Sequence, residues 1–414
     1  MNENDDEMEE FMGMKGVAHF HDILIDTSYL ALPSRADVMT DDASKYFVYD
    51  EMETLRSSLD EKKEAIEGFP KWRRAADTAE LLRPLKADLA NEFRLRGVTN
   101  AWLKIIEIYQ HFDLLRGPKH TTPLRIAFLA ELPGAFIAAT KFLIGKQNNM
   151  GFEWFAQSLI SGDDSKYLGD QYGFLKNEPE RWDFGPTRTG DITDPDNLRY
   201  YAAEYGPGGH KWTEGADIVT ADGAIGVEQD ALWNWQEEIN LKVFLGEIIG
   251  AITILRPGGT AIIKMYTLFH PGSVALIYIM GLCFEEIHIV KPQASRPANS
   301  ETYLVGKGMQ RSDIHEILND FIAEWQIDVK SGITRYDDIR SPLSDKFIPT
   351  DFAGQIVDVM TDFTGEQIYH LSRIELLARF TARKRPQKIY SKVMRKIETD
   401  SKAAVTRWRK NNEI

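Results

Sequence analysis

Between Gly258 and Gly308 the chain reads GGTAIIKMYTLFHPGSVALIYIMGLCFEEIHIVKPQASRPANSETYLVGKG. This stretch admits few folds. Its apolar runs are short, rich in β-branched residues and bounded by Gly or Pro, the pattern of strands buried on both faces. The spacing predicts a strand over Thr260–Tyr266, a helix over Ser273–Cys283, a strand over Glu286–Lys291, a loop, and a last strand from Thr302 to Gly306. Two charges interrupt the apolar pattern: Lys264 closes the first strand and Glu301 opens the last. A lysine in such a strand is costly unless it is paired or used. The loop SRPANSE adds Arg296, Asn299 and Ser300 just ahead of Glu301.

Upstream the same grammar repeats. Pro123 breaks the chain before LRIAFLAEL, read as a buried strand from Leu124 to about Glu131, followed by Pro133-Gly134 and the helix AFIAATKFLIG. Strand, tight turn and helix form the first unit of a doubly wound α/β fold. FEWFAQSL (152–159) reads as the second strand, and 161–187 as a polar insertion or long loop. Asp194 precedes Pro195 as a cap precedes the first helical position, while Asp191 by itself reads as a plain turn residue. Asp217–Thr220 forms a short strand that delivers Asp222-Gly223 into a turn at its carboxyl end, where open α/β sheets bind ligands. A long amphipathic helix follows over roughly Asp230–Leu255, with Trp233 and Trp235 near its start. Before the first strand, Thr99-Asn100 caps AWLKIIEIYQHFDLL, whose Trp102, Ile105, Ile106, Tyr109 and Phe112 form a buried stripe with Lys104 on its flank. Residues 50–68 and 76–92 read as charged amphipathic helices. His19 and His21 read as ordinary strand or loop residues, since no ligand cluster accompanies them.

The string KPxxSRPANSExYLVxKG, with a strand ending in lysine and a YTLFHPGS turn before it, resembles the FtsJ-type (RrmJ-like) RNA ribose 2′-O-methyltransferases. The likeness is strongest to the mRNA cap-1 branch and its versions in large cytoplasmic DNA viruses. The resemblance implies an α/β fold class: a doubly wound, Rossmann-like sheet, mostly parallel with its last strand antiparallel, over residues 95–308. An acidic start and helical extension would occupy 1–94, and a helical, C-terminally basic extension 309–414. It implies methyl transfer from S-adenosylmethionine to a ribose 2′-hydroxyl by a Lys-Asp-Lys-Glu tetrad, matched here by Lys104, Asp222, Lys264 and Glu301. Cofactor contacts carried over from the resemblance are Glu131, Pro133, Gly134, Ala135, Phe136, Asp191 and Asp222, with Arg296, Asn299 and Ser300 on the substrate side and no metal. Ala135 and Ala224 depart from the family pattern, each standing where a second glycine is usual.

A ribose hydroxyl is a poor nucleophile at neutral pH, so a lysine base needs its pKa pulled down by burial or a neighbouring cation. On this reading Lys264 takes the proton, Lys104 keeps its pKa low, and Asp222 and Glu301 hold both lysines.

A net charge of −14 argues against a surface basic throughout, so any contact with RNA must be local. The segment from Arg373 onward supplies such a place, with Arg379, Arg383, Lys384, Arg385, Lys388, Lys392, Arg395, Lys396, Lys402, Arg407, Arg409 and Lys410, and with Tyr390 and Trp408 interleaved. RNA backbone, an acidic protein partner, or the capping or transcription machinery are its candidate partners. The single cysteine, Cys283, excludes an internal disulfide and a cysteine-rich zinc site, and fits a reducing compartment. The longest apolar run, Val274–Phe284, is too short to span a bilayer, so the expectation is a soluble intracellular protein, cytoplasmic, and for a virus in host cytoplasm or virion. Two other readings stay open: a ribosomal or transfer RNA 2′-O-methyltransferase, and a catalytically retired fold serving as an RNA-binding or assembly subunit.

Overall fold

The structure is a computed structural model that describes residues 3–414 apart from 17, 39–49, 116–122, 147–150, 161–168, 226–233, 326–340 and 383–386. Seven strands form one sheet: β1 (His21–Ile25), β2 (Leu124–Leu129), β3 (Phe152–Ala156), β4 (Ala216–Ala221), β5 (Leu255–Met265), β6 (Phe284–Lys291) and β7 (Thr302–Met309). Their order is β1-β6-β7-β5-β4-β2-β3. The pairs β2–β3, β2–β4 and β4–β5 are parallel, and β7 runs antiparallel to both β5 and β6. This is the expected Rossmann-like sheet with its last strand reversed. The sheet has one further strand: β1, from the N-terminal extension, pairs antiparallel with β6, with His21 opposite Lys291 and Ile25 opposite Ile287. An otherwise open edge of β6 is thereby covered.

Helices precede the central strands: α1 (Glu3–Gly13), α2 (Arg35–Val38), α3 (Asp50–Glu67), α4 (Trp72–Ala79), α5 (Arg83–Glu92) and α6 (Asn100–His111). The expected single helix over 76–92 is two, broken at Glu80–Leu82 because Pro84 sits in the first turn of α5 and cannot extend the helix before it. Between the strands lie α7 (Ala135–Lys146), α8 (Phe174–Asn177), α9 (Pro195–Tyr205), α10 (Gln236–Ile254) and α11 (Pro271–Cys283). α12 (His315–Glu324), α13 (Thr350–Ala382) and α14 (Gln387–Asn412) follow β7.

The helix expected over Asp230–Leu255 needs correction. Its first residues, Asp230 and Trp233 included, lie outside the described ones, and α10 itself is apolar nearly all round. Such a helix must be covered on every side, and α10 packs against α9, α11, α12 and β5. α11 is likewise buried along almost its whole length, with Cys283 fully enclosed and unpaired at its end. The extensions fold onto the same core: α13 packs on α3 and α4, and α14 on α6. Among the described residues no helix is long and apolar enough to cross a membrane.

Candidate active site

Reversal of β7 decides the geometry of the site. Because β7 runs opposite to β5, Thr302 pairs with Met265 and Tyr303 with Lys264. Glu301, one residue before β7, therefore reaches the edge at which β4 releases Asp222 and β5 carries Lys264 one residue from its end. Lys264 Nζ donates to the main-chain oxygen of Asp222 at 2.8 Å and lies 3.2 Å from its carboxylate Oδ1. The Tyr303 hydroxyl donates to the same Oδ1 at 3.2 Å. From the other side α6, capped by Thr99 accepting from the Trp102 amide, brings in Lys104, whose Nζ is paired with Glu301 Oε1. The four residues proposed from the sequence as a tetrad thus form two joined ion pairs. Lys104 is no flanking, solvated lysine: it is 8% exposed and Lys264 7%. Two lysines so buried are tolerable because each has a carboxylate partner.

Electrostatics corrects one expectation. Burial pulls the Lys264 ammonium down, but Asp222, Tyr266, Glu301 and Glu247 outweigh it and hold the group above the ordinary lysine value. Lys104, paired with Glu301, is not among the leading groups that set it. Burial also pushes Glu301 up, yet Lys104, Lys264 and Lys291 prevail and keep its carboxyl below the usual range.

A ring of buried polar groups supports these four and escaped sequence reading. Lys291, at the end of β6, donates to the main-chain oxygens of Asn299 at 2.6 Å and Glu301 at 3.2 Å, and burial lowers it to about 8. Glu107, one turn beyond Lys104 on α6, accepts from the Gln293 amide at 2.6 Å, the Ala294 amide at 2.9 Å and the Trp408 indole at 2.7 Å. Burial raises it to about 7. Glu247 on α10 accepts from the Gly223 amide at 2.8 Å and is raised by burial to about 8. A Cβ on Gly223 would lie 2.3 Å from that carboxylate, so only glycine admits the contact. Glu237 accepts from the His270 amide at 2.7 Å and the Ser273 hydroxyl at 2.6 Å, fixing the turn that enters α11. No local signal in the sequence sets these carboxylates apart from solvated helix residues, because their partners come from distant loops and helices.

The turn after β2 carries the residues expected on the cofactor side. Gly134 has φ of +108°, and a Cβ there would meet the Phe174 ring at 2.8 Å, so the glycine is required. Glu131 turns Oε1 back to accept from the amides of Phe136 at 2.9 Å and Ile137 at 3.1 Å, capping α7; burial holds its carboxyl well above the usual range. Pro133 lies in the turn before α7, and Ala135 and Phe136 are the first, buried residues of that helix. The Ala135 methyl is therefore absorbed by packing, and Ala224 is exposed. Asp191 Oδ1 accepts from the amide and the hydroxyl of Thr193, both at 2.8 Å, closing a turn packed on the end of β3. Asp194 caps α9 by accepting from the Asp196 amide at 2.9 Å. These segments lie beyond the carboxyl ends of β2, β3 and β4; Glu131 is spent on capping α7, while Asp191 and Asp222 are partly exposed there.

On the substrate side, Arg296 Nη2 lies 3.1 Å from Glu80 and 3.8 Å from Asp77, near the end of α4. Ser300 Oγ shares hydrogen bonds with the Gln367 side chain, and Asn299 presents its main-chain oxygen to Lys291. The basic C-terminal segment is less available than its composition implies. Arg379 pairs with Glu375, Lys396 with Asp400 at 3.3 Å, Lys402 with Glu398 at 2.7 Å and Arg409 with Glu92 at 2.8 Å. Trp408 is fully buried and Tyr390 is 40% exposed; Arg383, Lys384 and Arg385 lie outside the described residues. Among the described residues no cluster of His, Cys, Asp and Glu is suited to a metal ion.

A sheet of this order with charged residues gathered at one edge defines a Rossmann-like fold with a polar site at the carboxyl ends of its strands. The chain belongs to the FtsJ-like methyltransferase family, whose model matches residues 98–309, just over half its length. It is 32% identical over 269 residues to the probable methyltransferase EP424R of African swine fever virus, a match covering 62% of this chain and 60% of that protein. It is 28% identical over 322 residues to the cap-specific mRNA (nucleoside-2′-O-)-methyltransferase 2 of Drosophila melanogaster, covering 75% of this chain and 44% of the other. The chain thus spans about half the length of the curated relatives it matches. A solved structure of a putative ribosomal RNA methyltransferase from Plasmodium falciparum aligns over 52% of this chain and 98% of the other, at 17% identity and a TM-score of 0.34.

Proposed function

We propose that the protein transfers a methyl group from S-adenosylmethionine to the ribose 2′-hydroxyl of RNA, at the first transcribed nucleotide of capped mRNA. The observation that carries this reading is the pairing of Lys104 with Glu301 and of Lys264 with Asp222 at one sheet edge. Family membership supports the reaction class, and the name of the Drosophila relative supports the capped substrate.

The residues beyond β2, β3 and β4 fit the cofactor. Gly134 lets the backbone turn closely, and Asp191 and Asp222 suit ribose hydroxyls and a cationic ligand. When bound, the cofactor supplies the electrophilic methyl. The chain's own residues hold the nucleophile. Lys264 Nζ takes the 2′-hydroxyl proton as the oxygen attacks, and this requires a deprotonated Lys264. Lys104 orients the hydroxyl, Glu301 fixes Lys104, and Asp222 fixes Lys264. Alignment of the oxygen with the methyl supplies the remainder of the rate. Arg296, Asn299 and Ser300 line the side from which RNA enters.

Labelled methyl transfer to three short RNAs tests the reading: one with a methylated-guanosine cap, one with a bare 5′ triphosphate, and one capped with a 2′-deoxy first nucleotide. Transfer to the first alone is expected. Equal transfer to the uncapped RNA would reassign the substrate to another RNA class, and transfer to the 2′-deoxy RNA would reject the position.

A further inference from the structure

The outer face of α14 carries charge that its neighbours do not neutralise. Val393, Ile397, Ala404 and Trp408 are buried, turned onto the helices that α14 packs against. Opposite them, at steps of three or four residues, stand Lys392, Arg395, Thr399, Lys402, Thr406 and Lys410, all exposed. No carboxylate stands in this line, which at 1.5 Å per residue runs for about 27 Å. Lys396 and Arg409, off the line, answer acids of the fold, whereas Lys392, Arg395 and Lys410 have no partner among the described residues. Lys402 has Glu398 at 2.7 Å, an exposed pair that a stronger anion can replace. With Thr406, Arg407 and Lys410 it lines a depression of about 650 Å³ along the C-terminal half of the helix.

Lone lysines on a helix are ordinary. An unbroken line of cations on a chain of net charge −14 is not, and like charges three residues apart, as at Lys392 and Arg395, weaken a helix. The face offers charge and little else. The hydroxyls of Thr399 and Thr406 donate back to the carbonyls of Arg395 and Lys402, both at 2.9 Å, and no aromatic or large aliphatic side chain stands in the line. A protein partner would find no anchor there. A flexible polyanion needs only cations spaced along its path. The inner side of the same helix reaches the substrate side of the site. Ser401 donates to the Leu81 carbonyl at 2.7 Å, next to Glu80, which holds Arg296 of the loop that ends in Glu301.

We infer that the outer face of α14 is a track for the body of the RNA downstream of the methylated nucleotide, gripping its phosphates through Lys392, Arg395, Lys402 and Lys410. The inference rests on RNA being the substrate and adds a dependence on its length. RNA too short to reach α14 is held at the site alone. A longer transcript is held by the track as well, whatever its sequence, because phosphate contacts release counterions and read no bases.

Titration of the full chain, without methyl donor, with capped single-stranded RNAs of about 4 and about 20 nucleotides over a range of salt tests it. Wild type should bind the longer RNA at least about ten-fold more tightly at low salt, with a log–log salt slope steeper by about 2–3, from about 0.7 for each phosphate neutralised. Lys392→Gln, Arg395→Gln and Lys410→Gln combined, with a thermal melt as a check on folding, should remove about 2 of that slope and most of the length preference. Transfer to the short RNA should stay at the wild-type rate. Equal binding of the two lengths by wild type would overturn the inference, as would a slope unchanged in the variant. Length-independent RNA binding, with oligoglutamate bound by wild type and not by the variant, would give the face to an acidic protein and overturn it too. Methyl transfer measured alongside separates the two readings. Transfer with length-independent binding removes the track and leaves the activity. Length-dependent binding that the variant loses, without transfer to any RNA, leaves the track and removes the activity.

Discussion

The indole of Trp408 donates to Glu107 at 2.7 Å across 301 residues of sequence, so the last helix of the chain grips the helix that carries Lys104. The same carboxylate holds the amides of Gln293 and Ala294, at the start of the loop that ends in Glu301. The C-terminal extension is thereby part of the support of the site. Trp408→Phe keeps an aromatic ring but loses the second ring of the indole together with the donor, and should cost about 1–3 kcal/mol. Trp408→Ala also leaves a cavity and should cost about 3–5 kcal/mol. Equilibrium urea unfolding measures both; equal stabilities for wild type and Trp408→Phe would mean that the hydrogen bond contributes nothing.

Glu247 gives a pH signature. Burial holds its carboxyl at about 8, against 4.5 for an ordinary glutamate. The folded state therefore binds this proton more tightly than the unfolded state does. Its contribution to stability is complete below pH 4.5 and is lost as pH rises through about 8. Glu247→Gln keeps an oxygen for the Gly223 amide and cannot ionise. The variant should match wild type near pH 5 and exceed it by about 2–4 kcal/mol at pH 8.5. Parallel stability curves for the two proteins across this range would refute the burial of an ionisable Glu247.

Lys264 sets the pH dependence of the reaction. Its neutral form is the base, and the surrounding carboxylates hold its pKa above that of an ordinary lysine. Since kcat/KM reports the free enzyme, it should rise about ten-fold per pH unit from pH 7 to 9 without a plateau. A plateau near pH 8 would instead point to Lys291, the lysine that burial brings to about 8. Lys264→Ala should lower methyl transfer between roughly 10²- and 10⁴-fold with the fold intact; near-normal turnover would remove Lys264 from the chemistry.

Much of this was legible in the sequence, for identifiable reasons. Strands buried on both faces declare themselves as short β-branched runs, and a turn such as that at Gly134, with its positive φ, needs glycine whatever surrounds it. Lys264 and Glu301 stood out because charge inside such runs is rare. What stayed hidden is what tertiary contact decides. Glu107, Glu237 and Glu247 look like solvated helix carboxylates until the partner helices and loops are in place. Trp408 stands interleaved among basic residues in the sequence, and only the fold shows it enclosed, because α14 turns its apolar stripe onto α6. The edge strand β1 is five residues long, HDILI, and in isolation has too little pattern to separate strand from loop.

Gln367 offers a test of how the extension acts on the substrate side. From α13 its amide nitrogen donates to the Ala298 carbonyl at 2.9 Å and the Ser300 hydroxyl at 3.2 Å, and the side chain is 3% exposed. Loop 296–301 is thus held from below by Lys291 and from outside by Gln367, and its last residue is Glu301. Gln367→Ala removes the outer hold while leaving every proposed reacting group in place. Displacement of an aligned group by about 1 Å can cost up to about 10²-fold in rate, and a partial loosening should lower kcat about 3- to 30-fold. Cofactor affinity should be unchanged, because the cofactor side lies beyond β2, β3 and β4. Gln367→Glu can still accept from Ser300 but cannot donate to Ala298, so it should fall with the alanine variant rather than with wild type. Single-turnover rates with capped RNA, together with cofactor titrations, separate these outcomes. A fall in cofactor affinity equal to the fall in rate would mean that α13 supports the whole domain rather than this loop.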